Sequence, residues 1–468
     1  MQLSSEAEAL FASLRQVADP AVAEAIGGQV ANAPDRDLCR VNALDFAAKR
    51  SLDEEAVIAA FLHAARLGIF ELWWNVLCPG CGGVLDAGAT LKMVDREEYQ
   101  CALCAAGYEP TLDEMVEVTF TVSPRVRHIA AHEPHSLSFA EYFRQVFWSS
   151  GVDLPDDATL EQVLEEIVLE SVELPSGGKA ILSLQLPAGL FILFDPVTHA
   201  AQFIEVEGEP SRERHTLSIV LDRGHASAGR LEMTPGPLRI ALENQSDMRT
   251  LPGVWEAGDA LHELLGRRKP FVTAKRLLTN QTFRDLYRTE TLNINQRLKI
   301  TSLTFLFTDL KGSTELYERV GDLVAFDLVR AHFEVLHHIV AAEAGAVVKT
   351  IGDAVMATFP TPDRAMAAAL RMREALRDLD ADLLVKIGIH EGPCLAVMLN
   401  ERQDYFGQTV NIASRVQGLA VSRSIFASEQ VVDNAEAARL LAANGIRPKA
   451  QDHLLRGVGH HVTVYEIP

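Results

Sequence analysis

The sequence predicts an α+β protein built from several domains. A chain of 468 residues is too long for one ordinary hydrophobic core. Apolar residues first recur at helical spacing and then alternate with polar ones as in strands, and after about residue 300 apolar strands and helices follow each other. We therefore predict five successive regions: a helix-turn-helix-like helical module at 1–75, a zinc-ribbon-like module at 76–111, a β-sandwich-like domain at 112–258, a helical connector at 259–300 and a C-terminal domain of strands and helices at 301–468.

The composition is that of a globular protein, because 48% of the residues are hydrophobic and 23% are charged. The formal net charge of −21 argues against broad contact with nucleic acid or with an anionic membrane surface. An anionic substrate must therefore be bound by local basic side chains and by backbone N–H groups.

No stretch of the sequence is suited to crossing a bilayer, which takes about 18–20 consecutive apolar residues. The best candidate, 56–77, is interrupted by His63, Arg66 and Glu71. Residues 1–8 contain no basic segment followed by an apolar one, so no signal peptide is predicted. We expect a soluble cytoplasmic protein without membrane contact, in which cysteines are reduced, bind metal or act in catalysis.

The first 75 residues carry two apolar helical repeats, around 43–47 and 57–64, and then a strand-like run at 69–74. Ser51 and Glu54 have the spacing of a capping box that opens the second helix. This order is that of a helix-turn-helix with a wing. DNA binding is nevertheless disfavoured, because six Lys and Arg face eleven Asp and Glu in this region. We favour a structural or protein-binding role.

Four of the six cysteines form two CxxC pairs separated by 19 residues: Cys78, Cys81, Cys101 and Cys104. Two such knuckles can present four thiolates to a tetrahedral Zn²⁺ ion, as in a zinc ribbon. A closed four-thiolate site would stabilise a small module and would not take part in catalysis. The alternatives are a buried cysteine pair without metal and a redox-active dithiol.

The middle of the chain is predominantly β in its pattern. Residues 116–122 alternate between apolar and polar, and two predicted helices follow at 138–149 and 159–170. Short strand-like runs, separated by turns rich in Pro, Gly, Asp and Ser, then predict a β-sandwich or barrel: Ala180–Leu186, Gly189–Phe194, Ala201–Val206, Thr216–Leu221 and Leu238–Glu243. A basic helical stretch, 269–287, connects this domain to the C-terminal one.

The C-terminal domain begins with the buried-strand pattern of Leu303–Phe307, which is followed by Asp309. A carboxylate at a strand end can hold a divalent metal ion. The next residues, Gly312, Ser313 and Thr314, form a glycine turn that opens a helix, and free N–H groups at a helix start bind phosphate oxygens.

Two further patterns follow along the chain. Two apolar strands at 347–357 flank a turn that contains Gly352 and Asp353, which predicts a β-hairpin with a second carboxylate at its bend. Two carboxylates from adjacent strand ends suit two Mg²⁺ ions. Gly407 then opens a helix on which Asn411 and Arg415 lie four residues apart, on one face. An amide beside a guanidinium suits the charge that develops on a reacting phosphate.

These patterns together resemble class III adenylyl/guanylyl cyclases. The residues that carry the resemblance lie in four segments, 307–309, 349–353, 387–390 and 410–415, in the order and spacing of that family. The resemblance covers about 168 of the 468 residues. It implies a ferredoxin-like βαββαβ core and a homodimer with active sites at the interface. It also implies an adenylate cyclase that converts ATP to cyclic AMP and pyrophosphate.

The resemblance also implies a role for each residue of the motifs. Asp309 and Asp353 of one protomer hold two Mg²⁺ or Mn²⁺ ions. Lys349 and Asp404 of the other protomer read the adenine edge, whereas guanylyl members typically use Glu and a small polar residue. In that same protomer the transition state is stabilised by Asn411 and Arg415.

The terminal phosphates are implied to bind near the C-terminal strand. The family usually has a lysine there, and the matching position in this chain is Arg456, which keeps the charge but changes the geometry. Residues 1–300 lack the catalytic pattern and are implied to be a regulatory region for an unidentified ligand or protein. The alternative functions are a guanylate cyclase and a non-catalytic, cyclase-like dimerisation scaffold or transcriptional regulator.

Overall fold

A computed structural model describes residues 4–222, 230–287, 292–311, 318–379, 384–399, 401–420, 424–459 and 461–468. The chain divides into two compact units. Unit 1 comprises Met1–Ala89, Arg96–Pro110 and Glu117–Val272, and unit 2 comprises Thr90–Asp95, Thr111–Val116 and Thr273–Pro468.

Unit 1 begins with four helices whose first turns are capped by polar side chains. Their bounds are Ser5–Val17 (α1), Pro20–Asn32 (α2), Ala43–Arg50 (α3) and Glu54–Arg66 (α4). The predicted capping box is wrong: Ser51 lies in the left-handed region with φ +52° and ends α3, while Asp53 caps α4 by accepting from the N–H of Ala56. Because a residue at positive φ terminates a helix, Ser51 cannot open the next one.

The remaining α-helices in the described part of unit 1 are Phe139–Tyr142 (α5), Asp157–Ile167 (α6) and Asp259–Gly266 (α7). The helix predicted at 138–149 changes to a π-helical turn at Phe143–Phe147, where four aromatic rings crowd together: Phe143, Phe147, Trp148 and Phe194. The helix predicted at 159–170 ends at Ile167, because the next residues form a strand that pairs with Gly253–Glu256.

Fourteen strands, β1 to β14, are described in unit 1; β5 and β14 each extend by one residue into unit 2. They are Phe70–Leu77 (β1), Val84–Gly88 (β2), Tyr99–Cys101 (β3), Ala106–Tyr108 (β4), Val116–Val122 (β5), Val168–Ser171 (β6), Lys179–Leu186 (β7), Gly189–Phe194 (β8), Ala201–Val206 (β9), His215–Leu221 (β10), Leu231–Met233 (β11), Gly236–Asn244 (β12), Gly253–Glu256 (β13) and Val272–Thr273 (β14). The strand after the helices therefore joins the one at 116–122, in a sheet of order β14-β5-β1-β2.

The β-rich part of unit 1 consists of two sheets that share one core. Their strand orders are β10-β12-β7 and β11-β9-β8-β13-β6. Leu182, Ile240 and Leu242 of the first sheet are buried in the same cluster as Phe191 and Ile204 of the second. Two sheets that bury their apolar faces against each other have the architecture of a β-sandwich.

Unit 2 is an α+β domain on a large, mainly antiparallel sheet. Its strands are Leu298–Lys311 (β15), Ala346–Ile351 (β16), Ala354–Phe359 (β17), Leu384–Leu399 (β18), Arg402–Phe406 (β19), Ile425–Ser428 (β20), Lys449–Leu454 (β21) and His461–Ile467 (β22). Its helices are Ala274–Leu278 (α8), Gln281–Leu286 (α9), Asp322–Ala342 (α10), Pro362–Leu379 (α11), Gln408–Leu419 (α12), Glu429–Val432 (α13) and Ala435–Ala443 (α14).

The first six of these elements after residue 297 run β15-α10-β16-β17-α11-β18, which is the order βαββαβ. The sheet order is β16-β17-β15-β18-β20-β22-β21, with β19 paired to β18. One apolar cluster joins the sheet to α10 and α11 through Leu306, Leu336, Met366 and Ile389. Among the described residues, no helix is both long and apolar enough to span a membrane.

Candidate active site

Two carboxylates meet at the end of the central strands of unit 2. Asp309 lies near the end of β15, and Asp353 occupies the turn between β16 and β17. The register pairs Thr308 with Val355, and the hydroxyl oxygen of Thr308 accepts a hydrogen bond from the N–H of Val355 at 3.2 Å. The turn is tight because Gly352 adopts φ +63°, which an L side chain rarely does. The predicted hairpin with a carboxylate at its bend is therefore confirmed.

The electrostatics of this pair suit a divalent cation. Partial burial raises the pKa of the Asp309 carboxyl, and the nearby Asp353 charge raises it further. Lys386 opposes this shift from 3.9 Å, the distance between its Nζ and Asp309 Oδ2. Asp353 Oδ2 is buried and has no hydrogen-bond partner in the described part of the chain. A divalent cation held between the two carboxylates would offset their repulsion and satisfy the buried oxygen.

A second pair joins two strands that are not sheet neighbours. Lys349 of β16 and Asp404 of β19 form an ion pair with 2.5 Å between Nζ and Oδ2. The Lys349 side chain is 41% exposed and the Asp404 side chain is 11% exposed, so the donor can be reached from solvent. The structure thus brings together the two residues assigned from the sequence to base recognition.

The helix α12 presents the third element of the site. It begins after Gly407, and Asn411 is exposed on it while Arg415 is half-buried. The Arg415 guanidinium approaches the Gly457 turn, within 3.5 Å of where a Cβ on Gly457 would stand. Arg456 is exposed in that same turn. The turn that carries Arg456 therefore lies close in space to the Arg415 side chain.

The position of α12 depends on one glycine of β18. A Cβ on Gly388 would lie 2.1 Å from the backbone nitrogen of Gln417, so the helix backbone rests directly on the strand. Gln417 also hydrogen-bonds to Asp309, which lowers the pKa of that carboxyl. The helix that carries Asn411 and Arg415 is therefore placed against the strand that faces Asp309.

The loop predicted to bind phosphate, Gly312, Ser313 and Thr314, lies outside the described residues.

Three residues near the carboxylates were missed in the sequence: Lys386, Gln417 and His332. Lys386 pairs in register with Asp309, but only the strand alignment shows this. His332 is fully buried on α10, and neither ring nitrogen has a hydrogen-bond partner among the described residues. Burial lowers the pKa of His332 to about 4, although the Asp353 charge raises it. Its position on the apolar face of α10, with Ala325, Val329 and Leu336, is the signal that would have found it.

The four cysteines of unit 1 converge on one point. The Sγ atoms of Cys78 and Cys104 are 3.6 Å apart, those of Cys81 and Cys101 are 3.7 Å apart, and all four lie within 4.8 Å of one another. A tetrahedral Zn²⁺ with Zn–S bonds of about 2.3 Å places its sulfurs about 3.8 Å apart. The geometry therefore fits a four-thiolate zinc site.

We expect the Cys101→Ser variant to lose most of its bound zinc and to lower the unfolding midpoint by roughly 10 °C, because metal binding contributes to folding free energy. Zinc content by plasma emission spectrometry and thermal unfolding measure both effects. The control is Cys394→Ser, since Cys394 is a buried cysteine that is not part of the cluster. Wild-type protein that contains no zinc and forms a reversible disulfide within the cluster would instead support the redox alternative.

Two families match the chain. Residues 4–285 match a family of unknown function (DUF5939), and residues 296–460 match the adenylate and guanylate cyclase catalytic domain. The first match covers more than half of the chain, and the second covers the region that holds both residue pairs.

Similar proteins align with the C-terminal region. "Adenylate cyclase 2" of Rhizobium meliloti is 30% identical over an alignment 183 residues long, which covers 35% of this chain and 49% of the relative. An adenylate cyclase of Anabaena cylindrica is 27% identical over an alignment 185 residues long, which covers 35% of this chain and 36% of the relative. The matches thus span less than half the length of these relatives.

Solved structures of cyclases are similar to the same region. The adenylyl cyclase CyaB from P. aeruginosa has 22% identity and a TM-score of 0.33, with 37% of this chain and 96% of that chain covered. The guanylate cyclase domain of RhGC from Catenaria anguillulae, in complex with GTP, has 20% identity and a TM-score of 0.32, with 36% and 97% covered.

Proposed function

Because this chain belongs to the DUF5939 family and carries a class III adenylate/guanylate cyclase catalytic domain at its C-terminus, we propose that it is an adenylate cyclase. The proposed reaction converts ATP to 3′,5′-cyclic AMP and pyrophosphate. Residues 1–300 would regulate it in response to an unidentified ligand or protein. The signal would then be read by the cell as a change in cyclic AMP.

The observation that carries the choice of ATP is the Lys349–Asp404 pair. Adenine offers an acceptor at N1 and a donor at its N6 amino group, and a lysine donor beside a carboxylate acceptor complements them. Guanine offers the opposite order on this edge, with an acceptor at O6 and a donor at N1. The 2.5 Å contact between the two side chains places donor and acceptor close enough to serve one base.

Asp309 and Asp353 would hold the Mg²⁺ or Mn²⁺ ions of the reaction. When bound, such ions lower the pKa of the ribose 3′-hydroxyl and neutralise the triphosphate. In the proposed reaction the 3′-oxygen attacks the α-phosphorus in line, and pyrophosphate leaves. Asn411 and Arg415 would donate hydrogen bonds to the α-phosphate oxygens as charge develops there, and Arg456 would bind the terminal phosphates.

A homodimer would complete each site in the proposed mechanism, with the carboxylates from one protomer and the remaining residues from the other. Exposed apolar side chains beside the site residues support this arrangement. Ile351 is 55% exposed, Leu399 is 45% exposed and Phe406 is 65% exposed. Ile351 is two residues from Asp353, and Phe406 is two residues from Asp404. Apolar side chains exposed around a site are typical of an interface.

Product analysis of the purified full-length protein tests the proposal. The protein is incubated with ATP or GTP and with Mg²⁺ or Mn²⁺, and the products are separated by chromatography. Cyclic AMP from ATP, with little or no cyclic GMP from GTP, is expected. Cyclic GMP as the main product would support a guanylate cyclase. No cyclic product from the full chain or from the 290–468 fragment would contradict the enzymatic function and favour the scaffold alternative.

Replacing Lys349 with alanine should relax the base preference. We expect the ratio of kcat/KM for ATP to that for GTP to fall about 10–100-fold. Alanine removes the donor for adenine N1, and it also removes the donor that would be left unpaired against guanine N1. Initial rates with both nucleotides measure the ratio. Lys449→Ala, which removes an exposed lysine at the start of β21, serves as the control. An unchanged ratio in Lys349→Ala would contradict its role in base recognition.

A further inference from the structure

The short helix α9 makes hydrogen bonds to both strands that carry the base-recognising pair. The side-chain oxygen of Gln281 accepts from the N–H of Val347 on β16 at 2.8 Å. Arg284 Nη2 donates to the carbonyl of Val348 on β16 at 3.4 Å and to the carbonyl of Gln403 on β19 at 3.0 Å. One guanidinium thus bridges the two strands.

The bridged carbonyls lie next to the pair itself. Val348 precedes Lys349, and Gln403 precedes Asp404. In the sheet, β16 and β19 are separated by β17, β15 and β18, so no ladder of backbone hydrogen bonds pairs them directly. Arg284 therefore supplies a direct link between two strands that the sheet joins only through three others.

A second contact holds the same region. The Tyr405 hydroxyl donates to the carbonyl of Leu278 at the end of α8, at 3.2 Å. Tyr405 is 3% exposed, and its burial raises the pKa of the phenol to about 12. The segment 278–284 is therefore bonded on both sides of Asp404, through Gln403 and through Tyr405.

The bridge is kept at an energetic cost. Arg284 Nη1 is buried and makes no hydrogen bond among the described residues. A partly desolvated guanidinium with an unsatisfied nitrogen is unfavourable, so its position is not explained by hydrogen-bond satisfaction alone.

We infer that Arg284 is a positioning residue that sets the separation of Lys349 and Asp404, and thereby the selectivity for adenine over guanine. This inference rests on the proposed adenylate cyclase function. Lys349 lies on an edge strand, and its Nζ can stay 2.5 Å from Asp404 only while β16 and β19 keep their distance. A displacement of about 1 Å lengthens that contact beyond a hydrogen bond and misplaces the donor for the base.

The experiment compares full-length wild-type protein with Arg284→Ala and Arg284→Lys, using Mg-ATP and Mg-GTP. For Arg284→Ala we expect the ATP-to-GTP ratio of kcat/KM to fall about tenfold. The change should come mainly from a higher KM for ATP, because the variant misplaces the residues that bind the base and leaves those assigned to the reaction unchanged. Arg284→Lys keeps one cationic donor and should restore part of the ratio. The exposed residue Arg330, paired only with Glu334 in the described structure, gives the control Arg330→Ala with wild-type behaviour.

A double-mutant cycle separates positioning from a merely structural role. If Arg284 acts through Lys349, adding Arg284→Ala to Lys349→Ala should change the ATP-to-GTP ratio by less than about twofold. A ratio that stays at the wild-type value in Arg284→Ala, or effects that multiply fully in the double variant, would overturn the inference. If Arg284→Ala does not fold, Arg284→Lys weakens the same contacts and Tyr405→Phe removes the neighbouring one to Leu278, and the ratio for Arg284→Lys decides in the same way.

Different results would contradict the adenylate cyclase function and the positioning role of Arg284. If wild-type protein forms no cyclic AMP from ATP, the proposed function is wrong and this inference falls with it. If wild-type protein forms cyclic AMP and the Arg284 variants keep its base selectivity, only the inference is wrong.

Discussion

Replacing Asp309 with asparagine is expected to lower cyclic AMP formation by on the order of 10³-fold or more. The substitution keeps the shape of the side chain but removes one of the two charges that would hold the divalent ions, and metal stabilisation of the transition state is worth several kcal/mol. Initial rates at saturating Mg²⁺ measure the loss. Asp327→Asn is the matched control, because Asp327 is an exposed carboxylate on α10 that has no assigned role in the reaction.

The same variant tests whether sites are shared between protomers. Arg415→Ala alone is also expected to be nearly inactive. If Asp309 and Arg415 of one site come from different protomers, mixed dimers of the two variants contain one intact site, and about a quarter of the wild-type rate should return in an equimolar mixture. Stable dimers that exchange subunits without any recovery of activity would contradict the shared site. Full activity of Asp309→Asn alone would contradict the metal role of Asp309.

Adding a single methyl group at Gly388 is expected to destabilise the catalytic domain strongly. The new Cβ would stand 2.1 Å from the Gln417 nitrogen and 2.3 Å from its Cα, and backbone atoms of a helix cannot rotate away. We expect Gly388→Ala to destabilise the domain by about 3 kcal/mol and to lower its unfolding midpoint by roughly 10 °C. Turnover should fall further than stability explains, because α12 carries Asn411 and Arg415.

The matched control for this prediction is Gly418→Ala. Gly418 lies on the same helix, and a Cβ there meets nothing within 4 Å. Because alanine favours helix over glycine by up to about 1 kcal/mol, this variant should be as stable as wild type or more so. Calorimetry and initial rates compare the two variants. A Gly388→Ala protein that keeps the wild-type midpoint and rate would show that α12 does not rest on β18 at this point.

The sequence by itself determined the local parts of the catalytic domain. The strand that ends near Asp309, the hairpin with Asp353 at its bend and the helix that begins after Gly407 all rest on short-range patterns of apolar period and glycine placement. The two CxxC knuckles are equally local. Such features can be predicted because their geometry depends on neighbours a few residues away.

The tertiary structure decided which distant residues meet. Lys386 opposite Asp309 follows from strand register, and the contacts of Arg284 with Val348 and Gln403 follow from the docking of α9. Both depend on residues more than 60 positions apart in the chain, and no local period encodes them. The predicted capping box at Ser51 was wrong although it rested on a short-range pattern, because Ser51 adopts a left-handed backbone conformation at the end of α3. The sequence therefore specified the chemistry of the site, whereas long-range packing set the distances at which that chemistry operates.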